Sequence, residues 1–134
     1  MWFKSISLIW FMMILALFLS LFVVESMAHE WMAPPQAAKK NNPSAASQDS
    51  VHRGKDVYLM NCASCHGENL EGLEAEVMGL ETNTPDLKKR LKTHSDGDFF
   101  WKIQNGKGDM PSFQEDLSET QIWDVINYIR SEPE

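Results

Sequence analysis

Cysteine is almost missing from this chain. Its 134 residues carry two, and both lie in one heptapeptide, Asn61-Cys62-Ala63-Ser64-Cys65-His66-Gly67. A zinc site built on that pair would have to recruit His94 or His52 to join His66, because no second clustered pair of ligands exists. Basic residues are also scarce, with 12 Lys and Arg against 19 Asp and Glu and a formal net charge of -7. That balance argues against nucleic acid or an anionic lipid surface as a partner. Nowhere do apolar residues alternate with a period of two, so half-buried strands are excluded and the periodicity is helical throughout.

Long apolar runs are absent with one exception. Residues 6–24, "ISLIWFMMILALFLSLFVV", hold no charge, and nineteen residues are about enough to cross a bilayer as a helix. Two readings of this segment stand. Ser26-Met27-Ala28 supplies the small residues of a signal-peptidase site, giving a cleaved signal over residues 1–28; the run also exceeds a usual signal core, which favours a retained N-terminal anchor. Either way Lys4 stays in the cytoplasm and the chain beyond Glu25 is exported. For a bacterial chain this means the periplasm, either free after cleavage or attached to the cytoplasmic membrane.

Residues 29–49, "HEWMAPPQAAKKNNPSAASQD", are rich in Pro, Ala, Asn and Ser without apolar period and read as a linker. Residues 50–134 remain as the folded unit. In its last helix Ser118 and Gln121 form a capping box, and Ile122, Val125, Ile126 and Ile129 make one apolar stripe that stops near Ser131. An earlier helix starts at Ser95, with Asp98 as capping partner, turns Phe99, Phe100 and Ile103 inward and ends at Gly106. A short helix comes after Pro85, and residues 51–61 form another with Gly54, Tyr58 and Cys62 along one side. About ten inward apolar side chains are too few to offset the chain entropy of such a domain, so a staple, a metal or a large apolar cofactor must fill its middle.

The heptapeptide supplies that cofactor. C-x-x-C-H is the attachment signal for c-type haem, in which two thiols one helical turn apart bond the vinyl groups and the histidine ligates iron from the same turn. A redox disulfide would use the same thiols, but in a strand-helix-strand context that is not visible here. The sixth ligand comes from "NGKGDMPSF", where Met110 sits in a glycine-rich loop stiffened by Pro111 and has no apolar stripe to join. Its competitors, Met78 and His94, lack such a scaffold, and His94 reads as an ordinary surface histidine.

These motifs together resemble the monohaem class I cytochrome c domain of bacterial type over residues 51–130. "GKDVYLMNCASCHG" is similar to the family's first helix and haem motif, with Gly54 where first and last helices cross. "TPDL" at 84–87 resembles the segment before the middle helix, "FFWKIQNGKGDMPSF" the distal loop with its methionine ligand at Met110, and "WDVINYIR" the terminal helix with Tyr128 near the crossing. The acidic loop at residues 68–81 matches nothing assignable.

The resemblance implies an all-α cytochrome c fold of three to five helices around one covalent haem c, held by Cys62, Cys65, His66 and Met110. His66 and Met110 would be the iron ligands, and no residue would be catalytic. A thioether opposite imidazole suits one-electron transfer and favours the ferrous state. The expected role is an exported carrier or tethered electron-transfer module with redox-protein donor and acceptor. A fixed haem subunit of a membrane redox complex is the alternative. An enzyme or gas sensor would need a distal acid or base, for which only His94 and His52 are at hand. Lys88, Lys89, Arg90 and Lys92 form a local positive cluster, a solvated helix face or a dock for an acidic partner.

Overall fold

Hydroxyl and carboxylate caps mark where four of the described helices begin. The computed structural model describes residues 31–44 and 46–133, with helices in the order α1 (Pro35–Ala38), α2 (Gln48–Asn61), α3 (Ala63–His66), α4 (Ala75–Met78), α5 (Leu87–Arg90), α6 (Asp96–Asn105) and α7 (Glu119–Ser131). Ser47, Asp86, Ser95 and Ser118 each accept a backbone N–H three residues on, satisfying a donor the first turn would otherwise orphan. The expected capping box at Ser118 and Gln121 is complete in both directions. At α6 the cap is half as expected: Ser95 caps the Asp98 N–H, but the Asp98 carboxylate turns inward and accepts the Ala33 N–H. Among the described residues there are no strands, only an isolated bridge between Lys107 and Met110.

Helices α2 and α7 cross at Gly54. A Cβ there would stand 1.9 Å from the Asp124 carbonyl oxygen, so only glycine allows this approach. The crossing is also clamped by polar groups that sequence periodicity does not reveal. Asp124, 1% exposed, accepts from Ser50 Oγ and from Arg53 Nε at 2.8 Å. Asn127 Nδ2 donates to Ser50 Oγ at 2.8 Å, which closes the network. The predicted stripe of Ile122, Val125, Ile126 and Ile129 is buried, and so is every residue between its ends, because α7 is covered on all sides.

One of those covers is the segment read as linker. Ala33 is buried, and its N–H donates to Asp98 Oδ1 at 2.6 Å. Ser95 Oγ donates to the Ala38 carbonyl, and Asn42 Nδ2 to Asn127 Oδ1 at 2.8 Å. The Lys40 ammonium lies 3.8 Å from the Phe100 ring centroid, over a ring that stacks on Trp123 at 4.3 Å. Residues 33–42 are therefore docked rather than tethering, because polar and cationic groups, not apolar period, hold them. The buried Trp123 Nε1 has no partner, for which the structure offers no account. The apolar run at residues 6–24 lies outside the described residues; among those described, no helix is long and apolar enough to cross a membrane.

Candidate functional site

Helix α2 ends by running into the cysteine pair. The Cys62 N–H still donates to the Tyr58 carbonyl, and then the Cys65 and His66 N–H groups both return to the Cys62 carbonyl at 3.1 and 2.9 Å. That single turn, α3, brings both thiols and the imidazole onto one short stretch of helix. Gly67 ends it at φ 79, a left-handed conformation that favours glycine. Three carbonyls at the end of the turn are engaged: Thr84 Oγ1 donates to Cys65 O at 2.6 Å, the Gly72 N–H to His66 O at 2.9 Å, and Tyr58 Oη to Gly67 O at 2.7 Å. Thr84 and Tyr58 thus position the motif. Both residues stand in the quoted motifs, but nothing local in the sequence announces these long-range bonds.

The side chains of the turn behave differently from its backbone. Cys62 and Cys65 are unbridged, so the disulfide reading does not hold here. Burial, with the neighbouring Cys65 thiol adding to it, pushes Cys62 up to about 12. Burial likewise pushes His66 below the ordinary histidine value, only partly opposed by the Pro85 carbonyl, which keeps the ring neutral, as a metal ligand requires. His66 Nδ1 is buried without a partner at hydrogen-bonding geometry. Unbridged thiols one turn apart and a half-buried neutral imidazole whose Nδ1 has no partner are a donor set that fits a thioether-linked haem. Among the described residues no group of three or more His, Cys, Asp or Glu is arranged to hold a metal ion.

The loop carrying Met110 is built as tightly as its composition suggests. Lys107 and Met110 exchange two backbone bonds, of 2.9 and 3.1 Å, around Gly108 and Asp109. Gly106 has φ 64, and a Cβ on it would stand 2.5 Å from the Met110 carbonyl. Beyond the turn, the Phe113 N–H donates to Ile103 O at 3.1 Å, and Asp109 Oδ2 accepts the Glu81 N–H at 2.9 Å. Met110 is half-buried and packs against the same apolar core as Cys62, Ala63 and Phe113. It does join apolar packing, contrary to the expectation from its polar neighbours, because the hairpin folds it back onto the core.

The competitors lie elsewhere. Met78 is half-buried in α4, a helix of one turn. His94 is not the surface residue expected: it is 6% exposed, with Nε2 3.8 Å from Asp98 Oδ2, Nδ1 2.8 Å from Thr93 Oγ1, and its carbonyl accepting from Arg130. Those bonds give His94 a structural post between α5 and α6. His52 is exposed on α2. The acidic loop at residues 68–81 is ordered by Leu70, fully buried at φ 67, whose carbonyl accepts the Leu87 N–H at 2.8 Å.

A model of the family described as cytochrome c oxidase, cbb3-type, subunit III, matches residues 49–129. The chain belongs to this family. It is a monohaem class I cytochrome c domain with the helical cytochrome c fold, it carries haem c covalently, and it works in haem-based electron transfer. Among similar proteins are cytochrome c6 of Petalonia fascia, 31% identical over 61% of this chain and 92% of its own length, and cytochrome c6 of Limnospira maxima, 34% identical over 63% and 94%. Cytochrome c6 of Thermosynechococcus vestitus is 32% identical over 65% of this chain and 73% of its own. A chain of the reducing HAO-like protein complex of Kuenenia stuttgartiensis shares the fold at TM-score 0.53 and 21% identity, over 69% of this chain and 47% of that one.

Proposed function

We propose that this cytochrome c domain is an exported one-electron carrier module in which His66 and Met110 would ligate the haem iron, while Cys62 and Cys65 would hold the haem covalently. The observation that carries the reading is the hairpin from Lys107 to Met110, which fixes the methionine backbone and turns its side chain toward the core shared with Cys62. Neutral His66 offers the nitrogen that such ligation needs. Bound haem supplies a one-electron couple, and a thioether opposite imidazole favours its ferrous form. With His66 and Met110 both holding the iron, the module would relay electrons and would leave no site there for a substrate.

The test is Met110→Ala in the holo protein. Haem stays covalently attached, the weak far-red sulfur-to-iron absorption of the oxidised form disappears, and carbon monoxide binding appears. Met110→His keeps six ligands and lowers the reduction potential. Met78→Ala changes none of these. Ready carbon monoxide binding by the wild type would overturn the assignment and favour a sensor or an enzyme.

Residues 6–24 serve in this reading as a retained anchor, with the domain on the periplasmic face of the cytoplasmic membrane; the length of the run supports it. N-terminal sequencing of the mature protein tests it, since a chain beginning at His29 means cleavage. The description of the matched family as an oxidase subunit supports a more specific form, a relay within a membrane redox complex. Mild-detergent purification with a larger redox partner at fixed stoichiometry supports that form, and isolation of the cytochrome alone favours the free module.

A further inference from the structure

Composition makes residues 29–49 a tether, yet residues 33–42 are bonded along their length to α6 and α7. The bonds are specific. Asp98 is 1% exposed, and its carboxylate faces three groups: the Ala33 N–H at 2.6 Å, the Lys102 ammonium at 2.6 Å and His94 Nε2 at 3.8 Å. Lys40 covers Phe100 and also reaches Glu119 at 3.2 Å. Gly97 provides the room: a Cβ on it would stand 2.4 Å from the Ala37 carbonyl and 2.8 Å from the Lys40 nitrogen. Its backbone has no positive φ, so the missing side chain serves the docked segment rather than the helix.

We propose that residues 33–42 form a docked strap, latched by Asp98 and seated on Gly97, that moves the effective attachment point of the N-terminal extension from α2 back to Ala33. This rests on the reading of residues 6–24 as a retained anchor. The consequence is reach. From residue 24 to Ala33 the chain spans nine residues, about 30 Å when fully extended, whereas a free tether running to Ser47 would allow about 80 Å. A domain on the short span cannot search for partners far from the bilayer. Its donor and acceptor therefore meet it within that short distance of the membrane surface.

Gly97→Ala isolates the strap, because alanine suits a helix better than glycine and touches only the docked segment. In the full-length holo protein, exchange of the amides of Ala33 and residues 36–40 should accelerate at least ten-fold while the haem spectrum stays unchanged. Unchanged exchange in that variant overturns the strap. Reach is read in phosphatidylcholine vesicles bearing a fluorescent lipid, which haem quenches at short range. Twenty Gly/Ser residues inserted between Met32 and Ala33 should reduce quenching several-fold, and the same insert after Ser44 should leave it unchanged. Equal losses from both inserts overturn the proposal. Wild type that fails to stay on vesicles refutes the anchor instead, while the exchange measurement still decides the strap.

Discussion

At the crossing of α2 and α7 the buried polar side chains Ser50, Asp124 and Asn127 form one hydrogen-bonded network, whereas at the turn of α3 the thiols are unbridged and His66 Nδ1 has no partner at hydrogen-bonding geometry. Both regions pack against one apolar core. The difference separates two uses of burial. A buried polar group that is satisfied within the chain holds helices together, and one left unsatisfied costs stability until something else completes it. In this family that completion is haem, so the crossing is finished in the polypeptide and the haem turn is not.

The sharpest way to break the comparison is to deny the unfinished region its completion. The double substitution of Cys62 and Cys65 by alanine removes both thiols of the proposed attachment, and the apolar side chains alone are too few to replace the haem surface. Holo protein is expected to fall more than about ten-fold, since a domain without its cofactor is short of core. In-gel haem staining against total antigen measures it. A well-folded, haem-free double mutant would show that the core suffices without the cofactor.

Attacking the finished region should produce the opposite pattern. Gly54→Ala drives a methyl into the Asp124 carbonyl, with no flexible side chain available to yield. Overpacking of this kind costs about 3 kcal/mol, and the helices must separate to accept it. The melting temperature should drop by more than about 10 °C for a domain of this size. At low temperature the haem spectrum of the folded protein should remain that of wild type.

Asp124→Ala is milder. It strips the Ser50 hydroxyl of its acceptor, leaving it only the bond it accepts from Asn127 Nδ2, and should cost about 2 kcal/mol from that buried group. Arg53, whose side chain is 58% exposed, returns to solvent. Thermal melts of this variant beside Ser50→Ala separate the parts, because the double mutant should be less than additive if the network acts as a unit.

How far these regions are legible in the sequence depends on the range of their contacts. The haem turn is a local motif, complete within seven residues, and the stripe of Ile122, Val125, Ile126 and Ile129 obeys helical period; both can be read directly. Gly54 can be read too, through its place in the resembling segment. Asp98, Asp124, Asn127 and His94 cannot, because a charged or polar residue in a helix reads as solvent-facing until its partner is known. Those partners are distant: Ala33 is 65 residues from Asp98, and Ser50 is 74 from Asp124. The strap hides for the same reason, since its composition is that of a linker and its docking depends on Gly97, Phe100 and Asp98 far along the chain.

Tyr58 joins the two regions, and Tyr58→Phe gives the smallest effect but the finest test. Its ring is fully buried in the crossing, 5.4 Å from the Tyr128 ring, while its hydroxyl reaches the Gly67 carbonyl at the end of the haem turn. Burial pushes its phenol well above the ordinary tyrosine value, so the hydroxyl stays protonated and donates at any physiological pH. Phenylalanine keeps the packing and removes only that bond. Gly67 O retains the 3.3 Å contact from the Leu70 N–H, so the carbonyl is weakened rather than orphaned, and the cost should be about 1 kcal/mol. Amide exchange should then accelerate at Cys65, His66 and Gly67 and stay at wild-type rates through residues 122–129. Equal acceleration in both segments would mean that crossing and haem turn open as one cooperative unit, and the contrast between a finished and an unfinished region would hold for hydrogen bonding but not for stability.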